Sequence, residues 1–202
     1  MNIRSIRPSV QWAAVLALAV LAAAACNPIE NGTTSNTRLI IENLTGLDLQ
    51  GIDSQFCRSD VLVTNSQTGT ATIVADIGKA TLSSQPLDPS PIVGNSTYLD
   101  IQLEKIAVSY TRADGHNIPG TDVPYSFEAG LSGTVRVGSL TMLSFTLVRE
   151  AAKEERPLVT LQGTGDVLEA TATIIFYGKD LSGRAVMATG YLPITFADYA
   201  NI

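Results

Sequence analysis

The pattern that most constrains the fold is a succession of short runs rich in β-branched and aromatic residues, each closed by Gly, Pro, Asn or Asp. Runs of this kind at regular intervals are typical of an all-β sandwich or barrel. Only one short segment shows any helical character, and no stretch keeps a helical period over three turns. The pattern predicts strands at 38–43, 61–64, 70–76, 80–83, 98–111, 125–129, 133–137, 140–148, 158–161, 169–177, 184–191 and 194–196.

The run at 98–111 changes face partway along its length. Its apolar residues fall on odd positions as far as Leu103 and on even positions from Ile106. Successive side chains of a strand point to opposite faces, so both sets reach the same core only if an extra residue intervenes. We therefore predict a β-bulge or bend at Glu104 and Lys105.

Two neighbouring runs carry further signals. The run at 140–148 shows a similar change of parity, between Met142 and Leu143. The segment that follows, 149–156 (REAAKEER), is the exception to the β pattern. It predicts one or two helical turns that cross from one sheet to the other. The many charges of the segment indicate that it is exposed to solvent.

The C-terminal part has the form of a hairpin. Residues 170–177 alternate cleanly, 178–183 form a turn, and 184–191 return. A strand, a Gly-x-Asp-x-x-Gly loop and a second strand resemble the last hairpin of bacterial immunoglobulin-like domains. The resemblance implies an immunoglobulin-like antiparallel β-sandwich in which this hairpin is the F–G pair, with Asp180 and Gly183 shaping the turn.

The amino terminus has the order of an export signal. Arg4 and Arg7 lie in a polar segment without acids, and an unbroken apolar run follows at 12–25. This order is typical of a secretory signal, and the run is shorter than the about 20 residues that span a bilayer. The run ends in Ala-Ala-Ala before Cys26 and resembles the lipobox of bacterial lipoproteins, with Ala23 where the motif usually has Leu.

The lipobox resemblance implies cleavage after residue 25 and lipidation of Cys26, which would attach the protein to the membrane. Asn27 follows in place of the Asp that retains enterobacterial lipoproteins at the inner membrane, and this favours the outer membrane. The alternative is a plain signal peptide with Cys26 as a bystander. We therefore divide the chain into a signal peptide at 1–25, the lipidated cysteine and a flexible tether at 26–37, and a single β-sandwich domain at 38–202.

The charge balance excludes some partners. The chain has 13 Lys and Arg against 19 Asp and Glu, a net charge of −6, and loss of Arg4 and Arg7 with the signal lowers it to −8. A nucleic-acid binder needs a basic surface to neutralise phosphates. We therefore expect no nucleic-acid partner, and membrane attachment through the lipid on Cys26 instead of a basic patch.

The sequence contains few candidates for catalytic residues. His116 is the only histidine, which excludes zinc sites with two imidazoles, and it lies in a polar turn where we expect it to be exposed. No Gly-x-Ser-x-Gly elbow, phosphate loop, dinucleotide fingerprint or Cys-x-x-Cys pair occurs. Cys57, the sole thiol once Cys26 is lipidated, is expected to be a small buried hydrophobe. The sequence predicts no cofactor, no metal site and no catalytic residue.

The densest polar segment is the loop at 112–124, which is the preferred binding site because functional residues concentrate on loops. Its candidate site residues are Arg112, Asp114, Asn117 and Asp122. The last three offer oxygen ligands suited to calcium, although their spacing matches no calcium motif. The competing interpretation is that Asp-Gly and Pro-Gly simply make two consecutive turns.

Residues 112–124, 149–158 and 196–199 resemble uncharacterised lipoproteins of environmental bacteria, and this resemblance implies no activity. The leading hypothesis is a non-catalytic, lipid-anchored binding or structural module of the bacterial cell envelope, with an envelope protein or glycan as partner. A glycan-active enzyme is one alternative, and it predicts a pocket with at least two acids of displaced pKa. A subunit of a surface assembly is another, and it predicts a long unpaired edge strand without Lys or Pro.

Overall fold

The chain divides into two compact units, residues 1–33 and 34–202. The computed structural model describes part of the second unit, namely residues 35–47, 51–65, 67–88 and 96–199. Cys26, the predicted signal peptide and most of the predicted tether therefore lie outside the described residues. None of the helices in the described ranges has the length and apolar character needed to cross a bilayer.

The described residues form an all-β fold, as the sequence pattern predicted. The strands are β1 (Thr37–Leu47), β2 (Asp53–Ser54), β3 (Cys57–Asp60), β4 (Val63–Thr64), β5 (Ala71–Thr72), β6 (Asp76–Pro86), β7 (Ile101–Thr111), β8 (Phe127–Val135), β9 (Leu140–Val148), β10 (Val167–Asp180) and β11 (Ala185–Ala197). The helical elements are short. They are the α-helix α1 (Glu150–Glu154) and two 3-10 helices, Thr97–Leu99 and Leu158–Leu161.

The strands are arranged in two sheets and one small hairpin. The first sheet has the order β2-β1-β6-β9 and is antiparallel throughout. The second sheet has the order β3-β11-β10-β7-β8 and is antiparallel except for β3, which runs parallel to β11. Strands β4 and β5 pair only with each other.

A single apolar core joins the two sheets. Both sheets contribute buried residues, and β1 of the first sheet contacts β11 of the second. The ring of Phe145 in β9 meets Phe176 in β10 edge to face, with centroids 5.5 Å apart. This is a favoured geometry for an aromatic pair, and it fixes the spacing between the sheets near their centre.

The bulge predicted in β7 is present at Glu104. Against β10, Leu103 pairs with Gly178 and Lys105 pairs with the adjacent Tyr177, so Glu104 is the extra residue. The pairing of β7 with β8 is irregular at the same residue, since Leu103 pairs with Gly133 and Lys105 with Gly130. Because of it, Leu103 and Ile106 are both buried although they have opposite parity.

The second predicted change of parity, in β9, is wrong. The register between β9 and β6 is continuous from Leu140 to Phe145. Odd positions face the core, whereas Leu140 and Met142 are 67% and 83% exposed. The apolar residues at the start of β9 therefore belong to the outer surface and require no extra residue.

One predicted strand, 158–161, is a 3-10 helix. Leu158 and Leu161 are both buried in it. Residues three apart lie on one side of a 3-10 helix but on opposite faces of a strand, so only the helix buries both. Other strands that were predicted as separate are continuous in the structure. The predicted strands 125–129 and 133–137 correspond to β8, and 184–191 and 194–196 correspond to β11.

The domain begins earlier than residue 38, because two residues assigned to the tether are buried. Thr37 is the first residue of β1, and Ser35 donates a hydrogen bond of 2.6 Å from its hydroxyl to the Asp180 carboxylate. Asp180 also accepts the backbone N–H groups of Ser182 and Arg184, each at 2.9 Å. Asp180 therefore shapes the turn between β10 and β11, as predicted, and also holds the start of the domain.

Candidate functional site

The loop at 112–124 brings three of its four candidate residues together in its first turn. The Arg112 guanidinium donates to both carboxylate oxygens of Asp114, with an Nε–Oδ1 distance of 3.1 Å. Asn117 Oδ1 accepts the backbone N–H of Arg112 at 2.6 Å. The hydrogen bond from Arg112 lowers the pKa of the Asp114 carboxyl. His116 is exposed as predicted, with 71% of its side chain accessible.

The fourth candidate, Asp122, lies in a separate second turn. Its Oδ2 accepts the backbone N–H of Ile118 at 3.0 Å, and the Gly120 N–H donates to Val123 O at 2.8 Å. Gly115 and Gly120, one in each turn, have positive φ angles of 85° and 75°, which glycine adopts without strain. This geometry agrees with the interpretation of consecutive turns.

The polar atoms of the loop are used within the loop itself. Both oxygens of Asp114, Oδ1 of Asn117 and Oδ2 of Asp122 already accept hydrogen bonds from loop donors. In the described ranges, no group of three or more His, Cys, Asp and Glu side chains is placed to hold a metal ion. The loop therefore has the hydrogen bonding of a rigid turn pair.

An open depression of about 340 Å³ lies beside the loop. Its lining includes Arg112, Asp114, Val167 and Glu169. A general acid in a glycan-cleaving pair needs a raised pKa, whereas the pKa of Asp114 is lowered by its bond to Arg112. Asp114 therefore lacks the raised pKa that the general acid of such a pair requires.

The charged segment 149–156 was predicted to be solvated, and for Lys153 this is wrong. Lys153 lies in α1 with 1% of its side chain exposed. Its ammonium donates to the carbonyl of Asp60 at 2.8 Å, the carbonyl of Val74 at 2.6 Å and Oδ1 of Asp76 at 2.9 Å. Three acceptors match the three donors of an ammonium group, so the buried charge is fully hydrogen-bonded.

Two acids near Lys153, Asp76 and Asp60, have raised pKa values. Asp76 Oδ2 also accepts the hydroxyl of Ser59 at 2.5 Å. Burial raises the pKa of the Asp76 carboxyl in spite of the adjacent ammonium, and burial likewise raises the pKa of Asp60. Neither acid is among the residues that line the depression beside the 112–124 loop. The hydrogen bonds of Lys153 therefore connect α1 to β3 and β6, which is a structural role.

Cys57 lies at the edge of this cluster and is fully buried, as predicted. Burial, with the nearby Asp76 carboxylate, raises the pKa of its thiol from 9.0 to about 12. A thiol with so little thiolate at neutral pH is a poor nucleophile. Cys57 therefore contributes volume to the core.

The free edge of the first sheet is a feature that no candidate site in the sequence included. β9 is a terminal strand of that sheet, and among the described residues it pairs only with β6. Its sequence, LTMLSFTLV, contains no charged residue and no Pro. Leu140 and Met142 project from its outer face beside a depression of about 400 Å³ that Met142 and Ser144 help to line. The sequence signal was the absence of charge and Pro in a strand whose apolar residues fall on both parities.

Comparisons with known proteins add little to this geometry. No protein-family model matches the sequence, and a search of the curated proteins found no relative. Among solved structures, the chain is similar to Spo0M, a sporulation control protein from Bacillus subtilis, with 12% identity and a TM-score of 0.29. The match covers 80% of this chain and 50% of that one, so the chain spans half the length of that structure. A likeness this weak carries no argument about function.

Proposed function

We propose that the protein is a lipid-anchored, non-catalytic binding or structural module of the bacterial cell envelope that acts by contact with another protein at the β9 edge. The lipobox-like segment ending at Cys26 supports the anchor, and Asn27 favours the outer membrane. The single observation that supports protein contact is the edge of β9, a strand without charge or Pro that pairs only with β6 among the described residues. Strand edges without charge, Pro or cover are prone to pair with another strand, and several recognition modules use such pairing.

The immunoglobulin-like assignment belongs to this proposal. The first sheet places β1, β6 and β9 side by side, and the second places β11, β10, β7 and β8 side by side. These orders correspond to strands A-B-E and G-F-C-C′ of an immunoglobulin-like sandwich, with the β10–β11 hairpin as the F–G pair. The parallel pair of β3 with β11 departs from a purely antiparallel sandwich.

The anchor is tested by fractionating cells that produce the full chain. Globomycin treatment or Cys26→Ala should yield an unprocessed or soluble form, because globomycin blocks cleavage of the lipoprotein signal peptide and Cys26→Ala removes the thiol that carries the lipid. Cys57→Ala is the matched control, since it removes the other cysteine and should leave the protein with the membrane. Unchanged membrane attachment of Cys26→Ala would contradict the lipid anchor.

The contact is tested with a photo-crosslinking amino acid at Met142. The same amino acid at Met187, which is 67% exposed on β11 of the other sheet, is the matched control. We expect a protein adduct in intact cells from position 142 and not from position 187. No adduct at 142, or equal adducts at both positions, would contradict a contact through the β9 edge.

A further inference from the structure

We infer that the domain contacts the headgroup region of the membrane with the end at which its chain begins, through the surface around Leu87, Tyr98 and Leu181. This inference rests on the proposed function, because the lipid anchor is what brings the surface to the bilayer. The lipid supplies the attachment, and the contact fixes the orientation of the domain.

Hydrogen bonds place the start of the domain at one end of both sheets. Ser35 donates to the carboxylate of Asp180, the last residue of β10, at 2.6 Å. Thr37 begins β1, and its hydroxyl is hydrogen-bonded to the hydroxyl of Ser84 near the end of β6 at 2.8 Å. Ile101, the first residue of β7, pairs with Asp180. We call this end of the domain, where β1 and β7 begin and β6 and β10 finish, the entry end.

Three exposed apolar side chains lie at the entry end. Leu87, Tyr98 and Leu181 are each more than half exposed. The backbone N–H of Leu87 donates to the carbonyl of Asn36 at 2.8 Å, next to the point where the chain enters. The backbone N–H of Leu181 donates to the carbonyl of Asp100, two residues after Tyr98, at 3.1 Å. Tyr is favoured at membrane interfaces because its ring is apolar and its hydroxyl is polar, and Leu is suited to the acyl boundary.

Charge distinguishes the entry end from the opposite end, where the 112–124 loop and α1 lie. Apart from ion pairs, the opposite end has more exposed acids than exposed bases, namely Glu150, Glu154, Glu155, Asp166 and Glu169 against Arg58 and Arg156. At the entry end, Asp100 and Asp180 are buried, and three arginines lie at or beside strand termini: Arg38, Arg136 and Arg184. The chain as a whole has a net charge of −6, so anionic headgroups repel the opposite end more than the entry end.

The length of chain between the anchor and the domain identifies the bilayer as the occupant of this surface. Ser35 follows Cys26 by nine residues. Nine residues span about 32 Å at full extension, so Ser35 stays within that distance of the lipidated residue. Tethering gives a high effective concentration, at which a few apolar and basic side chains that bind weakly alone are sufficient for contact.

The first experiment compares the two ends in the purified lipidated protein, reconstituted into vesicles of phosphatidylethanolamine and phosphatidylglycerol. The fluorophore NBD is attached at Ser182→Cys, beside Leu181, or at His116→Cys, at the opposite end. The two positions match, because each backbone N–H donates to the carboxylate of the Asp two residues earlier, at 2.9 Å and 3.2 Å. Cys57 stays unlabelled because it is fully buried.

We expect the emission of NBD at position 182 to shift to shorter wavelength and to be quenched by lipids that carry a nitroxide on the headgroup. NBD at position 116 should behave as it does in water. An equal signal at both positions, or a stronger one at 116, would overturn the inference.

The second experiment removes the contact in the labelled Ser182→Cys protein. Tyr98→Ser with Leu181→Ser should abolish the shift and the quenching. Ile118→Ser with Val167→Ser, two residues of the opposite end that are also more than half exposed, should change neither. Arg136→Gln should lower the ratio of membrane-bound to free label about fivefold, since one basic side chain near an anionic surface contributes about that factor. Quenching that is unchanged in the Tyr98→Ser, Leu181→Ser variant would overturn the inference.

The outcomes separate this inference from the proposed function. If Cys26 holds the protein at the membrane while positions 182 and 116 give equal signals, the anchor stands and the membrane contact is overturned. A chain without lipid on Cys26 would overturn both. Protection of position 182 in cell membranes but not in protein-free vesicles would identify a protein as the neighbour and overturn the inference as well. A circular dichroism spectrum like that of the unsubstituted protein confirms that each variant folds.

Discussion

The buried ammonium of Lys153 gives a stability prediction with a defined size. Lys153→Met keeps most of the length of the side chain but removes the three donors that bind Asp60 O, Val74 O and Asp76 Oδ1. The variant leaves a mostly buried carboxylate without its counter-ion and two carbonyls without this donor. Breaking a buried pair from one side costs about 3–5 kcal/mol. We expect the free energy of unfolding to fall by about 4 kcal/mol at neutral pH.

The measurement is urea unfolding of the purified protein, followed by circular dichroism. With a urea dependence of about 2 kcal/mol per molar, a loss of about 4 kcal/mol lowers the unfolding midpoint by about 2 M. The matched control is Lys79→Met, which removes an ion pair with Asp53 of nearly equal length, 2.8 Å, between side chains that are 45% and 49% exposed. Exposed pairs contribute less than about 1 kcal/mol, so the control should move the midpoint little.

A double variant isolates the cause. Lys153→Met with Asp76→Leu replaces both members of the pair by apolar side chains, and it should recover most of the lost stability because no charge stays buried alone. The reasoning would be refuted if Lys153→Met cost no more than Lys79→Met. It would equally be refuted if the double variant were as unstable as Lys153→Met alone.

Three further predictions concern individual buried residues. Because burial raises the pKa of Asp76 above its usual 3.8, the folded protein holds that proton more tightly and loses stability as the pH rises from 3.8 through the folded value. Asp76→Asn should reduce this slope in pH-dependent urea unfolding, and the slope that remains comes from Asp60, whose pKa burial also raises. Cys57, with a pKa of about 12 instead of 9.0, should react with iodoacetamide at pH 8 roughly 1,000-fold more slowly in the folded than in the unfolded protein. Tyr110→Phe removes a buried 2.7 Å hydrogen bond to the carbonyl of Leu147 and should cost about 1–2 kcal/mol in the same unfolding assay.

Features set by neighbours in sequence were predictable. The bulge at Glu104 was visible because the parity of apolar residues changes on either side of it, and that parity is a local property of the chain. The turns of the 112–124 loop were visible for the same reason, since Asn117 and Asp122 bind backbone groups only five and four residues away. In both places the physical cause lies within the segment itself.

Features set by distant partners were not predictable. Lys153 finds Asp76 and the Asp60 carbonyl at 77 and 93 residues along the chain, and nothing within the segment 149–156 distinguishes it from its solvated neighbours. Met142 was misjudged for a related reason. An apolar side chain predicts burial, but whether its face of β9 is covered depends on a sheet partner that the local sequence does not specify.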